Sequence, residues 1–392
     1  MRPLLFLTAF LLFDTIPARS HVLSLRQQVD TFLVELGLPP AGLRSSRPTE
    51  IFVRVLDSRG SSTGALDVAT AGEPSGPGIS CRTLSARIVM PSMAGMPAIV
   101  PNVRWLGYDG SYALKATFPH GGFYRIGLTF ETSAQSRSTF VSYLVEVADE
   151  LSDDRILPRP FSLKVSAEGA LAAGKSSHLA LSVWSRETDQ RVTNFETVHE
   201  KKLHLIVVRG DLGAFFHEHP TLHPDGTFTM AFTFPTGGNW TLFADMAPQG
   251  AGSQVAAAKL RVDGGTVPSQ DLIPVARPLV RQDGLLLEME PAHFVAHRTT
   301  VLVFKLRDAN NATLSDLEPW LGAPAHLMLV ERDATTFVHS HPNEASDQAA
   351  KTGILAFETR FPKPGVYKGW IQVQRAGKVI TLPFTIRVMD SV

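Results

Sequence analysis

A duplicated segment constrains the fold of this chain more than any other feature. Residues 202–220 are KLHLIVVRGDLGAFFHEHP, and residues 325–342 are AHLMLVERDATTFVHSHP. In each copy an apolar run leads through a polar turn, RGDL or ERDA, into a second short run. Two apolar runs joined by a short polar turn are typical of a β-hairpin, so the sequence predicts the same hairpin twice.

Three histidines occupy matching positions in the two copies. They are His204, His217 and His219 in the first copy, and His326, His339 and His341 in the second. If the four turn residues close the first hairpin, Val208 faces Gly213. That register places His204 opposite His217, with His219 two residues further along the strand. Opposed residues and alternate residues of a strand share one face, so we predict a patch of three imidazoles on each hairpin.

Three converging imidazoles suit a zinc or copper ion and leave one coordination position open. A loop with the sequence MPSMAGMP adds Met93 and Met96, whose thioethers suit Cu(I). Met90 continues an alternating apolar strand and is predicted to fill the core. We therefore expect copper before zinc, with up to two ions per chain bound nearly independently. The alternative is that a duplicated hairpin carries duplicated polar residues with no metal.

Oxygen donors recur in the strand that follows each repeated FPxxG segment. Asp245 and Gln372 hold the same place relative to Trp240 and Tyr367. Each could orient a histidine, but the sequence favours a solvent-facing position for both. The remaining histidines considered have no counterpart between repeats and are expected to play ordinary surface or hydrogen-bonding roles: His178, His199, His223, His293 and His297.

A second repeat predicts the fold class. The segments YALKATFPHGGFY, FTMAFTFPTGGNW and LAFETRFPKPGVY each alternate large apolar residues, stop at a proline and turn at a glycine. Such alternation predicts a strand with one face in a core, ended by a proline that cannot continue the ladder. We predict an all-β protein of three tandem immunoglobulin-like, cupredoxin-like β-sandwiches over residues 48–150, 156–266 and 272–390.

The N-terminal residues carry a different pattern. Residues 1–20 have a basic start, a short apolar run and small residues near Ser20, which predicts a secretory signal peptide. We therefore expect an exported protein, periplasmic or secreted, with no transmembrane segment. In residues 21–47, Leu25, Val29, Phe32 and Leu36 recur at helical spacing, which predicts an amphipathic helix followed by a linker.

Charge and cysteine content exclude several classes of protein. The 37 basic and 37 acidic residues balance, so nothing favours nucleic acid as a partner. Cys81 is the single cysteine, which excludes an internal disulfide and a thiolate-rich metal site.

The MPSMAGMP loop followed by GSYALKATFPHGGFY resembles the YtkA-like domain of extracytoplasmic bacterial proteins. LHLIVVRGDLGAFFHEHP and WLGAPAHLMLV with FVHSHP resemble related His-bearing modules found in tandem in secreted bacterial proteins. The resemblance covers residues from about 50 to 388. It implies a β-sandwich fold and an association with copper or heavy-metal handling.

These observations favour a non-enzymatic, exported metal-binding protein that acts in metal sequestration, delivery or resistance. Its partners would be a transition-metal ion and another extracytoplasmic protein. The alternative is a structural or adhesive array that binds a protein or glycan without metal. A metal-dependent enzyme is a third class, but no acid or base recurs beside both triads as a general catalyst requires.

Overall fold

The computed structural model describes residues 23–58, 77–91, 93, 96–108, 110–133, 135–150, 159–290, 293–340, 342, 346 and 348–390. These residues form three successive modules of two packed sheets each, which confirms the predicted all-β fold of tandem β-sandwiches. The predicted signal peptide, residues 1–20, lies outside the described residues. Within the described ranges, no helix has the length and apolar character that crossing a bilayer requires.

The first module contains strands β1 to β9. In chain order they span Leu23–Val29, Phe32–Leu38, Leu43–Arg44, Pro48–Asp57, Cys81–Val89, Asn102–Trp105, Ser111–Thr117, Gly122–Thr132 and Gln135–Ala148. One sheet has the order β1-β2-β4-β7-β6 and the other β3-β9-β8-β5. Val34 and Ile51 from the first sheet meet Ile126 and Val147 from the second in a buried core.

The second module contains strands β10 to β19. They span Phe161–Ala167, Ser176–Ser185, Gln190–Arg191, Phe195–Glu196, Leu203–Arg209, Phe215–Glu218, Thr221–Leu222, Thr227–Thr233, Gly238–Pro248 and Gln254–Val262. One sheet runs β10-β11-β17-β16 with β12 beside β11, and the other runs β13-β18-β14-β15 with β19 beside β18. Leu181, Phe228, Leu205 and Trp240 pack between the sheets.

The third module contains strands β20 to β28 and one short helix, α1. The strands span Leu279–Gln282, Leu285–Met289, Phe294–Val295, Thr299–Asp308, His326–Glu331, Phe337–Ser340, Ile354–Arg360, Gly365–Arg375 and Lys378–Met389, and α1 spans Ala349–Thr352. The sheets run β20-β21-β23-β26 and β22-β28-β27-β24-β25. Leu287, Phe357, Leu327 and Tyr367 lie in the core.

The N-terminal segment is a β-hairpin, so the predicted amphipathic helix is wrong. Val29 pairs with Phe32 around a two-residue turn in which Asp30 has a φ of 52°. Phe32, Val34 and Leu36 alternate along β2 and are buried. The apolar positions fit a period of two as well as a helical period, and pairing of β2 with β4 decides between them. The first module therefore includes β1 to β3 and is not limited to residues 48–150.

The three repeated segments form the same corner in each module. After the proline that follows β7, β17 or β26, the chain enters the opposite sheet at a glycine with positive φ. These glycines are Gly122, Gly238 and Gly365, with φ values of 137°, 115° and 151°. Residues with a Cβ rarely adopt such angles, which is why glycine recurs at this point.

An aromatic residue completes each corner two residues later. The polar atom of its ring donates to the carbonyl oxygen four residues earlier, at 3.0, 3.2 and 2.9 Å for Tyr124, Trp240 and Tyr367. Each ring also lies edge-on to the phenylalanine that precedes the corner, at centroid distances of 5.0, 5.3 and 5.1 Å. The recurrence of these contacts supports one repeated architecture.

The sequence predicted two boundaries between modules. The first predicted boundary, around residues 150–160, falls mostly on residues 151–158, which lie outside the described residues. The second was predicted at residues 262–274. There β19 ends at Val262 and β20 begins at Leu279.

Candidate metal centre

The second and third modules share a buried interface. Along β14 every residue from Leu203 to Val208 is buried, and alternate side chains point in opposite directions. Leu205 and Val207 enter the core of the second module, whereas Ile206 and Val208 enter a separate apolar cluster that includes residues of the third module. This two-sided burial explains why the run LHLIVV lacks polar alternation.

The interface repeats its contacts about an approximate two-fold relation. Phe215 of the second module stacks on Trp370 of the third, with centroids 4.5 Å apart. At the equivalent positions, Phe337 of the third module stacks on Phe243 of the second, at 5.2 Å. The two modules therefore present the same patch to each other, as two subunits do in an isologous dimer.

Both predicted hairpins are present, but their register differs from the prediction by two residues. Val208 pairs with Phe215, and Ile206 pairs with His217. The loop consists of residues 210–213, because the amide of Arg209 donates to the carbonyl of Ala214. The third module has the equivalent pairing, with Met328 opposite His339. A shift of two residues preserves the face, so the histidines still gather on one side.

The first triad converges as predicted. His204 Nδ1 lies 3.0 Å from His217 Nε2 and 3.2 Å from His219 Nε2. One ligand atom from each of the three side chains lies within 4.8 Å of the others. Two nitrogens bound about 2.0 Å from one tetrahedral ion lie roughly 3.3 Å apart, which is close to the observed spacing.

Hydrogen bonds to groups outside the triad fix which nitrogen carries the proton in two of its rings, His204 and His217. His204 Nε2 donates to the carbonyl of Val198 at 2.9 Å, which leaves Nδ1 with a lone pair. His217 Nδ1 donates to Oε1 of Gln372 at 2.7 Å, which leaves Nε2 with a lone pair. Two basic nitrogens therefore face each other, and a bound cation would relieve their repulsion.

Burial keeps these rings neutral. It lowers the pKa of His217 to about 3, against the raising effect of the hydrogen bond that His217 donates to Gln372, and lowers the pKa of His219 to about 3. The pKa of His204 is also lowered by burial, which outweighs the raising effect of the Asp245 charge. Neutral imidazole is the form that binds metal, so the triad is ready to bind at neutral pH.

The histidines of the third module join the same cluster. His326 is fully buried, and its ring centroid lies 6.4 Å from that of His204 and 6.3 Å from that of His217. His339 lies 6.0 Å from His204. His341 lies outside the described residues. The two groups of histidines therefore meet in one cluster, because the apolar faces beside them pack together. The number of ions bound per chain stays a prediction.

Asp245 and Gln372 do not face solvent, contrary to the sequence-based expectation. Both are buried, at 5% and 6% exposure. Each orients a histidine of the other module, since Asp245 bonds His339 Nδ1 and Gln372 bonds His217 Nδ1. Burial raises the pKa of Asp245 to about 6, against the lowering influence of nearby histidines, so the carboxylate is still ionised at neutral pH.

Two residues that sequence reasoning missed complete the cluster. His199, expected to be an ordinary histidine, lies with its ring 5.4 Å from His326 and 6.5 Å from His204. Trp320 of the third module lies 5.3 Å from His217 and 5.1 Å from His326. Their positions in the sequence could have revealed them, because each residue lies at most six positions before a triad histidine. The two residues lie in equivalent turns of the second and third modules.

The methionines of the first module line a cavity of 1030 Å³ where the three modules meet. Met90, Met93 and Met96 line this cavity together with Asp245 and His339. Met90 also packs against the core of the first module, as predicted. The Met loop and the histidine cluster therefore open onto one common space.

The first module is joined to the other two around this cavity. The amide of Val100 donates to the carbonyl of Gly250 in the second module at 2.8 Å. The carboxylate of Asp149 pairs with the guanidinium of Arg360 in the third module. The cavity is therefore a product of the three-module arrangement.

Fold and site define a tandem β-sandwich protein with a histidine cluster at the junction of its second and third modules. A family model described as a domain of unknown function, DUF8832, matches residues 161–264 and 280–390, more than half of the chain. The chain belongs to this family. The two matched ranges coincide with the second and third modules, in agreement with the internal duplication. No curated protein matches the sequence.

Three solved structures show a remote likeness to this chain. Dimeric latent PorU from Porphyromonas gingivalis is 11% identical over 93% of this chain and 34% of that chain, with a TM-score of 0.22. The ICAM-5 D1–D4 ectodomain fragment is 11% identical over 92% of this chain and 78% of its own, with a TM-score of 0.21.

Chicken CNTN1 FN1–FN3 domains are 7% identical over 90% of this chain and 98% of theirs, with a TM-score of 0.18. This chain thus spans about a third of the PorU chain. At these scores none of the likenesses carries an argument about function.

Proposed function

We propose that this chain is a non-enzymatic metal-binding protein that holds copper, in preference to zinc, at the histidine cluster between its second and third modules. Its role would be metal sequestration, delivery or resistance outside the cytoplasm, in line with the signal peptide that the sequence predicts for residues 1–20. The observation that supports metal binding most strongly is the 3.0 Å approach of two basic nitrogens, His204 Nδ1 and His217 Nε2. Each ring donates its proton away from the other.

The preference for copper rests on ligand chemistry. Imidazole sites bind Cu(II) more tightly than Zn(II) along the Irving–Williams order. Met93 and Met96 line the cavity onto which His339 also opens, and their thioethers suit Cu(I). We assign these methionines as soft ligands that a copper ion meets in the cavity, outside the histidine triad. The YtkA-like resemblance of the first module supports the same role.

A binding role is favoured over catalysis. A general base needs a carboxylate or imidazole poised beside the open coordination position. The carboxylate of Asp245 is instead engaged by His339, and the pKa of His217 is far below neutrality because the ring is buried. Asp245 and Gln372 act here as groups that orient histidines, which strengthens metal binding without supplying acid or base chemistry.

Calorimetric titration of the untagged full chain with copper and zinc tests the proposal. Wild type should bind copper more tightly than zinc, and His217→Ala should lose the ion held by the first triad. His178→Ala, which removes an exposed histidine of β11, is the matched control and should bind as wild type. A thermal melt of each variant separates lost binding from lost folding. A wild-type protein that binds neither metal would exclude the proposal and favour the metal-free structural array.

A further inference from the structure

The three rings of the first triad project toward the third module. His204, Ile206 and Val208 alternate along β14, and Ile206 and Val208 enter the apolar cluster that the two modules share. His217 lies opposite Ile206 on β15, and opposed residues of antiparallel strands share a face. His219 follows two residues later. The coordination position that the triad leaves open therefore faces away from its own sheet, toward the third module.

The turn before β24 brings a tryptophan to this position. Trp320 and Ala323 bond each other across the turn, and the carbonyl of Trp320 accepts a hydrogen bond from His326 Nε2 at 2.9 Å. The indole ring lies edge-on to His217 and His219, with centroid distances of 5.3 and 6.3 Å. It also lies 5.1 Å from the ring of His326. A third-module ring therefore packs against two of the three triad imidazoles.

A hydrogen bond between modules holds this turn in place. The equivalent turn of the second module, residues 198–201, carries His199, whose ring donates to the backbone of Leu321. Leu321 directly follows Trp320 and has a φ of 52°, within the tight part of its turn. The two turns that precede the histidine strands are thus bonded to each other, and this contact fixes the backbone beside Trp320.

The tryptophan is present in one module only. Val198 occupies the same place in the second module, because its carbonyl accepts from His204 Nε2 as that of Trp320 accepts from His326 Nε2. Both residues lie six positions before their histidine. The backbone of the turn is therefore repeated, whereas the large ring is an addition on the side that faces the first triad.

We propose that Trp320 closes the coordination position that the first triad leaves open, so that small molecules in solution do not reach an ion held there. This inference rests on the proposed function, because it requires the triad to bind metal. An apolar shell around a metal site controls the access of solvent and, through it, the redox potential. Zn(II) and Cu(II) complete their coordination with a fourth ligand such as water. A closed position therefore favours Cu(I).

Azide binding to the full chain loaded with Cu(II) tests this shield. Azide is a small anion that coordinates Cu(II) where a position is open, and the complex has its own absorption band. Wild type should bind azide at least about tenfold more weakly than Cu(II) with three imidazoles in solution. Trp320→Leu, which removes the ring and keeps an apolar side chain, should bind azide at least about tenfold more tightly than wild type. Trp320→Phe, which keeps a ring, should stay within about threefold of wild type.

The same variants test the preference for Cu(I). Loss of the ring gives water access to the ion and so stabilises Cu(II). Trp320→Leu should therefore lower the ratio of Cu(I) affinity to Cu(II) affinity at least about tenfold, and Trp320→Phe should keep the wild-type ratio. Competition with chelators specific for each oxidation state measures the ratio.

The control and the opposing outcomes separate this inference from the proposed function. Trp105→Leu removes a tryptophan of the first module that is 57% exposed, and it should behave as wild type in both measurements. Thermal melts report the folding of each variant. If wild type binds no copper, both the function and the shield are excluded. If copper binds but wild type takes up azide as readily as the imidazole complex or as Trp320→Leu, the shield is excluded and the function stands.

Discussion

At the scale of single residues, the cluster depends on an exchange of hydrogen bonds between modules. Asp245 of β18 orients His339, and Gln372 of β27 orients His217. The sequence identified both oxygens from their equivalent positions after the FPxxG corner. It did not reveal their partners, because each lies on the other module, and strand patterns report only which residues share a face. Burial of an Asp and a Gln is acceptable here because each has a hydrogen-bond partner.

Replacement of Gln372 by Leu should weaken copper binding by about 10- to 100-fold without removing the ion, because the His217 ring loses the group that fixes its orientation. The matched control is Gln374→Leu, two residues along β27, where the amide bonds Glu318. Calorimetric affinities of the two variants provide the comparison. Equal affinities for the Gln372 and Gln374 variants would contradict a positioning role for Gln372.

At the scale of elements, the hairpins show what alternation can and cannot predict. The histidines share a face, as the sequence predicted, because a two-residue error in register leaves every side chain on the same side. The register itself depends on the loop, which the sequence placed one residue too early. The N-terminal hairpin was missed for a different reason. The spacing of its apolar residues fits a helix as well as a strand, and only the pairing of β2 with β4 decides in favour of the strand.

The carboxylate of Asp211, in the loop of the first hairpin, should contribute to the stability of the fold. Burial alone would raise the pKa of Asp211, but hydrogen bonds from Arg209, Gly213 and Gln270 lower it to about 2. A depressed pKa stabilises the fold above the ordinary value near 4, and this stabilisation is lost as the pH falls from about 4 to about 2.

Asp211→Asn should therefore cost about 1 kcal/mol at neutral pH, and the cost should diminish as the pH falls toward 2. Denaturant unfolding of wild type and variant at several pH values measures this difference. A difference that stays constant across that pH range would show that the carboxylate charge is not what stabilises the loop.

At the scale of the whole molecule, the second and third modules are coupled. The sequence predicted three sandwiches because each has its own alternating core, and this prediction is confirmed. It did not predict the fourth apolar cluster, which lies between modules. The uninterrupted apolar runs of β14 and β24 are typical of strands that are buried on both faces, and they could have indicated this cluster. That cluster brings the histidines together.

Phe337→Ala should destabilise the full chain by about 3 to 5 kcal/mol, because the ring is buried and stacks on Phe243 across the interface. It should also weaken copper binding, since the adjacent histidines depend on the same interface. Val301→Ala, at a position 44% exposed, is the control. Unfolding curves with and without copper measure both effects. If the Phe337 variant is destabilised but binds copper with unchanged affinity, the histidine cluster does not depend on the interface between the modules.

X-ray absorption spectroscopy of the full chain with one equivalent of copper tests the central claim most directly. Copper held by the first triad should have about three nitrogen neighbours near 2.0 Å with the outer-shell scattering of imidazole, and fewer imidazoles in His217→Ala. A spectrum without imidazole scattering, or a chain that retains no copper, would contradict it.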